Sequence, residues 1–175
     1  NATLINTSII NNSSGIYNYN TTDMIIKNSI ISGNSLTQIQ ISNQPQIQNL
    51  SVSNSLIEGG QSGIIDGNNV VNWGEGNIDA DPLFIDPDNG DFHLSDYSPA
   101  IGAGTTTGAP STDIEGNIRP NPVGSMPDMG AYENTRSVPH VYTVDDYITI
   151  IEDQDTTIWV ASNDLNINWE EDNLN

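Results

Sequence analysis

The chain has 175 residues, 23 acidic against 3 basic side chains, a formal net charge of -20 and no cysteine. Its three cations, Lys27, Arg119 and Arg136, cannot form the basic face that nucleic acid or an anionic membrane requires. Without thiols there is no disulfide frame and no Cys-type zinc site, and no apolar run is long enough for a helical membrane span.

The most abundant residues are Asn and Ile, 24 of each. This is a β-branched apolar chain set among small amides and hydroxyls, unlike the Glu/Lys/Leu mixture of helical proteins. It opens on Asn1 inside a strand-like stretch, Ala2-Thr3-Leu4-Ile5, and closes on Asn173-Leu174-Asn175 without a terminating element. It therefore reads as a segment of a longer polypeptide.

A repeat fills residues 1–77. Thr7-Ser8-Ile9-Ile10 matches Asn28-Ser29-Ile30-Ile31 and Asn54-Ser55-Leu56-Ile57, at spacings of 21 and 26 residues (7 to 28, 28 to 54). An apolar residue stands two positions before each unit: Ile5, Ile26 and Val52. Turn residues follow, as in Asn11-Asn12-Ser13-Ser14-Gly15 and Ser32-Gly33-Asn34-Ser35. One such unit cannot bury its own aliphatic row, but stacked units can, because strand neighbours lie about 4.8 Å apart and like side chains align. The spacing predicts an all-β chain with a right-handed parallel β-helix, and Asn stacking on Asn at the turns, as at Asn28 and Asn54.

Residues 78–133 have a different texture. Leu83-Phe84-Ile85 and Phe92-His93-Leu94 are predicted strands around the turn Asp86-Pro87-Asp88-Asn89-Gly90, with Phe92 and Leu94 inward and His93 outward. Pro99-Ala100-Ile101 forms a small-residue strand, and Gly102 and Gly104 permit close backbone approach. Arg119 stands near Asp128 and Glu133 in sequence, where an ion pair is expected. Four blocks run in order: Asp81-Pro82-Leu83-Phe84 through Gly90-Asp91-Phe92-His93-Leu94, then Ser98-Pro99-Ala100-Ile101-Gly102-Ala103-Gly104, then Asp113-Ile114-Glu115-Gly116-Asn117-Ile118-Arg119-Pro120, then Asp128-Met129-Gly130-Ala131-Tyr132-Glu133. Together they closely resemble the C-terminal end of secreted bacterial right-handed β-helix proteins of the choice-of-anchor Q kind, in the pectate-lyase-like superfamily. The likeness covers about a third of the chain, and Gly102 departs from it, since relatives often carry Asp there. It implies that 78–133 caps the open end of the β-helix.

Residues 134–141 read as a linker. From Tyr142 onward there are nine acidic residues and no basic one. Asp145-Asp146-Tyr147, Glu152-Asp153 and Ile158 to Asp164 resemble the start of bacterial cadherin-like or Ig-like tandem repeats. Such a sandwich takes about 100 residues, so 142–175 holds only its beginning, an incomplete β-sandwich-like segment.

Chemistry-bearing residues are sparse. A lyase of the related superfamily needs a basic side chain as proton acceptor, and the coils offer only Lys27. A hydrolase needs paired carboxylates, and the coils hold Asp23, Glu58, Asp66 and Glu75, the last two as a pair near the final coil. No catalytic residue is assigned. Asp86, Asp88 and Asp91 are the candidates for a Ca²⁺ loop, although the register is wrong for an EF-hand and Asx-turn chemistry is the favoured reading of them. His93 and His140 lack a second ligand at metal spacing. Trp73, with Tyr17, Tyr19 and Trp159, is the candidate for stacking on glycans, or else these rings cover the ends of the core. The resulting expectation is a non-catalytic segment of a large secreted or cell-surface bacterial protein, an adhesin, stalk or display scaffold. Its partners would be neighbouring domains of the same chain, polysaccharide or a cell surface, and an outer-membrane secretion apparatus. The alternatives are part of a polysaccharide lyase or glycosidase whose groove lies on upstream coils, or a glycan-binding module.

Overall fold

Short alternating aliphatic runs, punctuated by Asn, Ser and Gly, build the strands, because branched side chains suit a pleated surface and Asn suits its corners. The computed structural model describes residues 1–43 and 45–141. The coils comprise β1 (Ala2–Ile5), β2 (Ser8–Ile10), β3 (Ser14–Asn18), β4 (Asp23–Lys27), β5 (Ile30–Ser32), β6 (Thr37–Ile41), β7 (Asn49–Ser53), β8 (Leu56–Ile57), β9 (Ile64–Ile65) and β10 (Val70–Trp73). A hairpin follows, β11 (Phe84–Asp86) and β12 (Asp91–Leu94). The only helical turns among the described residues are two 3-10 pieces, Gly60–Gly63 and Pro87–Asn89.

The coil strands stack into three parallel sheets, β1-β4-β7-β10, β2-β5-β8 and β3-β6-β9, while β11 and β12 pair antiparallel. This is a parallel β-solenoid of about three turns, as the repeat predicts. Its steps are 22, 26 and 21 residues along the first sheet (Ala2 to Met24, Met24 to Leu50, Leu50 to Val71). The sequence register is one residue off in the first coil. Ser8 pairs with Ile30 and Ile9 with Ile31, which brings Asn6, not Thr7, level with Asn28. The corner sets this register. Asn6, Asn28 and Asn54 all take a left-handed backbone, at φ 48, 49 and 46°, which Asn tolerates better than Thr.

Side chains lock these corners from coil to coil. Asn28 Nδ2 donates to Asn6 Oδ1 at 3.2 Å and to the Thr105 carbonyl at 2.7 Å. One residue further on, the amides of Thr7, Ser29 and Ser55 donate to Ser29 Oγ, Ser55 Oγ and Asn77 Oδ1 of the next coil. Each bond satisfies a backbone N–H that the turn withdraws from the sheets.

Two clusters form the core. The inner one fills the solenoid with Met24, Ile26, Ile31, Ile39, Ile41, Leu50, Val52 and Ile57, flanked by Ile16 and Ile64. The outer one joins Ile30 and Leu56 of the second sheet to Leu94, Ala100, Ile101 and Met129. The second sheet is thus buried on both faces, which explains its consecutive aliphatic pairs, Ile30-Ile31 and Leu56-Ile57. Each fully buried aliphatic side chain contributes about 1.5–3 kcal/mol.

The outer cluster shows where 78–133 packs. Ile78 still bridges to Leu56, so the coils run slightly past residue 77. The following segment then lies along the outer side of the second sheet and reaches back to the first coil. Gly130 N donates to the Asn28 carbonyl, Ala131 N to Ser8 Oγ, and Asn6 Nδ2 to the Asp128 carbonyl. None of its residues joins the inner cluster, which is bordered by Ala2, Leu4 and Ile9 of the first coil and by Val71 and Trp73 of the last. It braces this flank, because Ile30 and Leu56 face outward and need cover. Gly130 marks the closest approach: its φ is 89°, and a Cβ there would lie 2.8 Å from Ile30 Cδ1 and from Ser8 Oγ. Ser8, shorter than the Ile30 it pairs with, leaves that room.

Residues Asn1–Pro139 form one compact unit. The expected Ig-like or cadherin-like start at 142–175 lies outside the described residues.

Candidate functional site

The ionisable groups of the flank segment serve its loops. Arg119 Nε donates to Glu133 Oε2 at 2.7 Å with both side chains out of water, 1% and 0% exposed. Arg119 Nη2 also donates to the Gly130 carbonyl. Glu133 Oε1 accepts the Asn121 amide at 3.0 Å. Asp128 accepts from Gly102 N at 2.7 Å and Asn134 N at 2.6 Å, so it ties the second sequence block to the fourth. Gly102 has φ 61°, and a Cβ there would collide with the Ser137 carbonyl, so glycine suits this position. Asp113 accepts from the amides of Glu115, Asn117 and Glu133. Burial pushes the Asp128 carboxyl up to about 7 against the pull of its two amide donors. Burial also lifts Glu133, with the Asn121 amide and Arg119 opposing it. Burial raises Asp113 as well, but the amide groups of Asn117, Glu133 and Glu115 outweigh it and hold the carboxyl below its ordinary value. A cleft of about 370 Å³ opens where this network meets the first coil, lined by Thr7, Ser8, Thr112, Asp113 and Arg119 among others. Its one cation is already committed to Glu133.

His93 points outward from β12, as its alternation predicts, and bridges two carboxylates. Nδ1 lies 2.6 Å from Asp91 Oδ1 and Nε2 lies 3.1 Å from Glu115 Oε2. Its ring packs on Tyr132 with centroids 4.2 Å apart. The bond to Asp91, then that to Glu115, raises the imidazole above its ordinary value, and the same contact lowers Asp91.

The other sequence candidates are dispersed. Asp86 accepts from Asn89 Nδ2 at 2.8 Å, Asp91 is held by His93, and Asp88 lies exposed in the turn between them. These are turn-forming bonds, and among the described residues no group of three His, Cys, Asp or Glu side chains is placed to hold a metal ion. Asp66 and Glu75 do not converge, since they stand beyond opposite ends of β10. Trp73 is half-buried and packs on the inner cluster at the last coil, as the core-covering reading of this ring has it. Lys27 ends β4 on the outward side of the first sheet, beside Asp23 and Ile25 in the alternation.

Tyr17 and Tyr19 behave differently from Trp73. They are 56% and 62% exposed, with ring centroids 6.3 Å apart and planes 33° apart. Tyr17 heads a row across the outer face of the third sheet, where it pairs in register with Gln40, and Gln40 with Ile65. Ile65 is exposed, and beside it runs a groove of about 360 Å³ lined by Leu36, Thr37, Gln38, Ser62 and Glu58 among others, with the Glu58 carboxylate accepting from Gln38 Nε2 at 3.1 Å. Strands β3, β6 and β9 carry no charged residue. Alternation within Gly15-Ile16-Tyr17-Asn18-Tyr19 was the available signal that both tyrosines face away from the core.

The chain matches no family model, no curated protein and no solved structure. Among the described residues, no helix is long and apolar enough to cross a membrane.

Proposed function

We propose that this chain is a non-catalytic, load-resistant segment of a larger secreted or cell-surface bacterial protein, serving as a stalk or adhesin scaffold. The observation that carries this reading is the use made of the buried ionisable groups. Asp113, Arg119, Asp128 and Glu133 are all spent on loop amides, a carbonyl or one another, and so bolt the flank segment together. Catalytic groups, by contrast, are held toward a space where substrate fits. Coils locked by side-chain ladders and braced along one flank suit a stiff spacer, and a charge of -20 discourages self-association. The resemblance of the four blocks to secreted choice-of-anchor Q β-helix proteins supports the same reading, as does that of the acidic tail to cadherin-like repeats. Neighbouring domains of one long chain and an outer-membrane secretion apparatus are then its natural partners.

The test is surface shaving of source cells followed by peptide mass spectrometry. With only three basic residues the chain yields few tryptic peptides, so a protease cutting at acidic residues is the suitable reagent. The reading predicts that intact cells release its peptides and that the parent polypeptide far exceeds 18.9 kDa. Peptides found solely after lysis, from a protein of 18.9 kDa, would refute it.

A further inference from the structure

We infer that the outer face of the third sheet, centred on Tyr17 and Tyr19, is a docking platform for a neutral polysaccharide chain. The three outer faces of the solenoid differ. The second is covered by the flank segment through Ile30 and Leu56. The first carries Asp23 and Lys27 on β4. The third is uncovered among the described residues, carries no charge along its strands, and presents the exposed ring of Tyr17, with that of Tyr19 just beyond the end of β3. Asp66, the carboxylate that follows β9, accepts the Asn68 amide in a local turn.

Solubility alone would favour charge at such positions, as elsewhere in a chain with 23 acidic residues. Two tyrosines side by side instead offer flat apolar area with a hydroxyl at each rim. The C–H faces of a pyranose stack on such rings, while its hydroxyls find amide partners. Gln40, in register beside Tyr17, supplies one, and Asn20, exposed beside Tyr19 in sequence, supplies another. The row from Tyr17 through Gln40 to Ile65 advances about 4.8 Å per coil, close to the length of one sugar residue, so a chain laid along it meets a new side chain at each coil. Charge selects the occupant. An anionic polymer approaching a chain of -20 is repelled, and the face offers no cation to hold it, whereas a neutral glycan meets neither obstacle. The face deepens the adhesin reading by giving the stalk something to hold, but its geometry stands without that reading.

Affinity electrophoresis of the full 175-residue chain tests it, in native gels cast with hydroxyethyl cellulose, xyloglucan, galactomannan or polygalacturonate. At least one neutral polymer should retard migration and polygalacturonate should not. Tyr17→Ala with Tyr19→Ala should weaken the retardation about tenfold or more, since each ring contributes stacking energy of the order that changes affinity severalfold. Val123→Ala, on an exposed residue of the flank segment, should leave it unchanged. Unaltered thermal melting of both variants shows that the fold is kept. No retardation in any neutral gel, equal retardation of the tyrosine variant, or retardation by polygalacturonate alone would each overturn the proposal. None of these bears on surface exposure, so a failure here is distinguishable from a failure of the stalk reading.

Discussion

At the scale of single residues, burial decides what charge does. Arg119 and Glu133 face each other out of water at 2.7 Å, so removing either partner strands the other without solvation. Arg119→Ala or Glu133→Gln should therefore cost about 3–5 kcal/mol in urea unfolding, while replacing both by Met should cost less than either single change. A loss in the double variant equal to the sum of the two single losses would show that the pair acts independently. His93 is raised like the buried acids, but by attraction rather than by burial. Its two carboxylate neighbours favour the imidazolium and raise its titration above the ordinary 6.5. The contact is thus fully present below that ordinary value and is lost as pH rises through the higher folded-state value. An NMR titration of the His93 ring should give a midpoint above 6.5, and Asp91→Asn should bring it down. A midpoint unmoved by that substitution would remove the bridge from the account. Such contacts were only partly legible in the sequence. The Arg119 ion pair follows from proximity along the chain, but Glu115 reaches His93 through a loop whose path no local pattern specifies.

At the scale of elements, a strand's cost of substitution depends on which of its faces is covered. The second sheet is buried on both sides, the first on one. Ile30→Ala, facing the flank segment, should therefore destabilise about as much as Ile31→Ala in the solenoid interior, roughly 2–5 kcal/mol each. Ile25→Ala, outward on the first sheet and 43% exposed, should stay within about 0.5 kcal/mol, after allowing for its lower strand propensity. Urea titrations of the three variants settle this, and a mild Ile30→Ala would mean that the flank segment packs loosely. The doublet Ile30-Ile31 is visible in the sequence, but a single inward aliphatic row accounts for only one of its members. A doublet in a strand puts side chains on opposite faces, so it carries the information that both are covered. The register error at Thr7 has a similar origin. Hydroxyl and aliphatic residues match equally well one position apart, whereas the left-handed corner accepts Asn6 far more readily than Thr7.

At the scale of the molecule, several titrations push stability in one direction. Asp128 is raised to about 7, and Glu133 and His93 are raised as well. A raised group binds more protons folded than unfolded. Its stabilising share is complete below the unfolded value and disappears as pH climbs through the folded one. For Asp128 that window runs from its ordinary 3.8 to about 7. The lowered Asp91 and Asp113 act oppositely, and their share is lost only as pH falls through their folded values, below the ordinary 3.8. The chain should accordingly be most stable in mildly acidic solution and lose stability as pH rises through about 7, aided by mutual repulsion as the negative charge grows. Thermal melts followed by circular dichroism across that range check the sign, and Asp128→Asn should flatten the slope. A melting temperature that rises steadily from pH 5 to 8 would contradict it.

The sequence by itself determined the β class, the coil length and the aliphatic filling of the solenoid, because these depend on short-range alternation and on a repeat that stacks like upon like. It also marked Arg119 for an ion pair with Asp128 or Glu133 and predicted the hairpin around Asp86 to Gly90. Only the tertiary structure decided that 78–133 braces the side of the solenoid, that Trp73 packs half-buried against the inner cluster, and that Tyr17 and Tyr19 are exposed side by side. Those outcomes depend on which surface a later segment covers. That choice is made by long-range fit between Ile30, Leu56, Gly130 and Met129, residues that lie far apart along the chain and leave no local periodic trace.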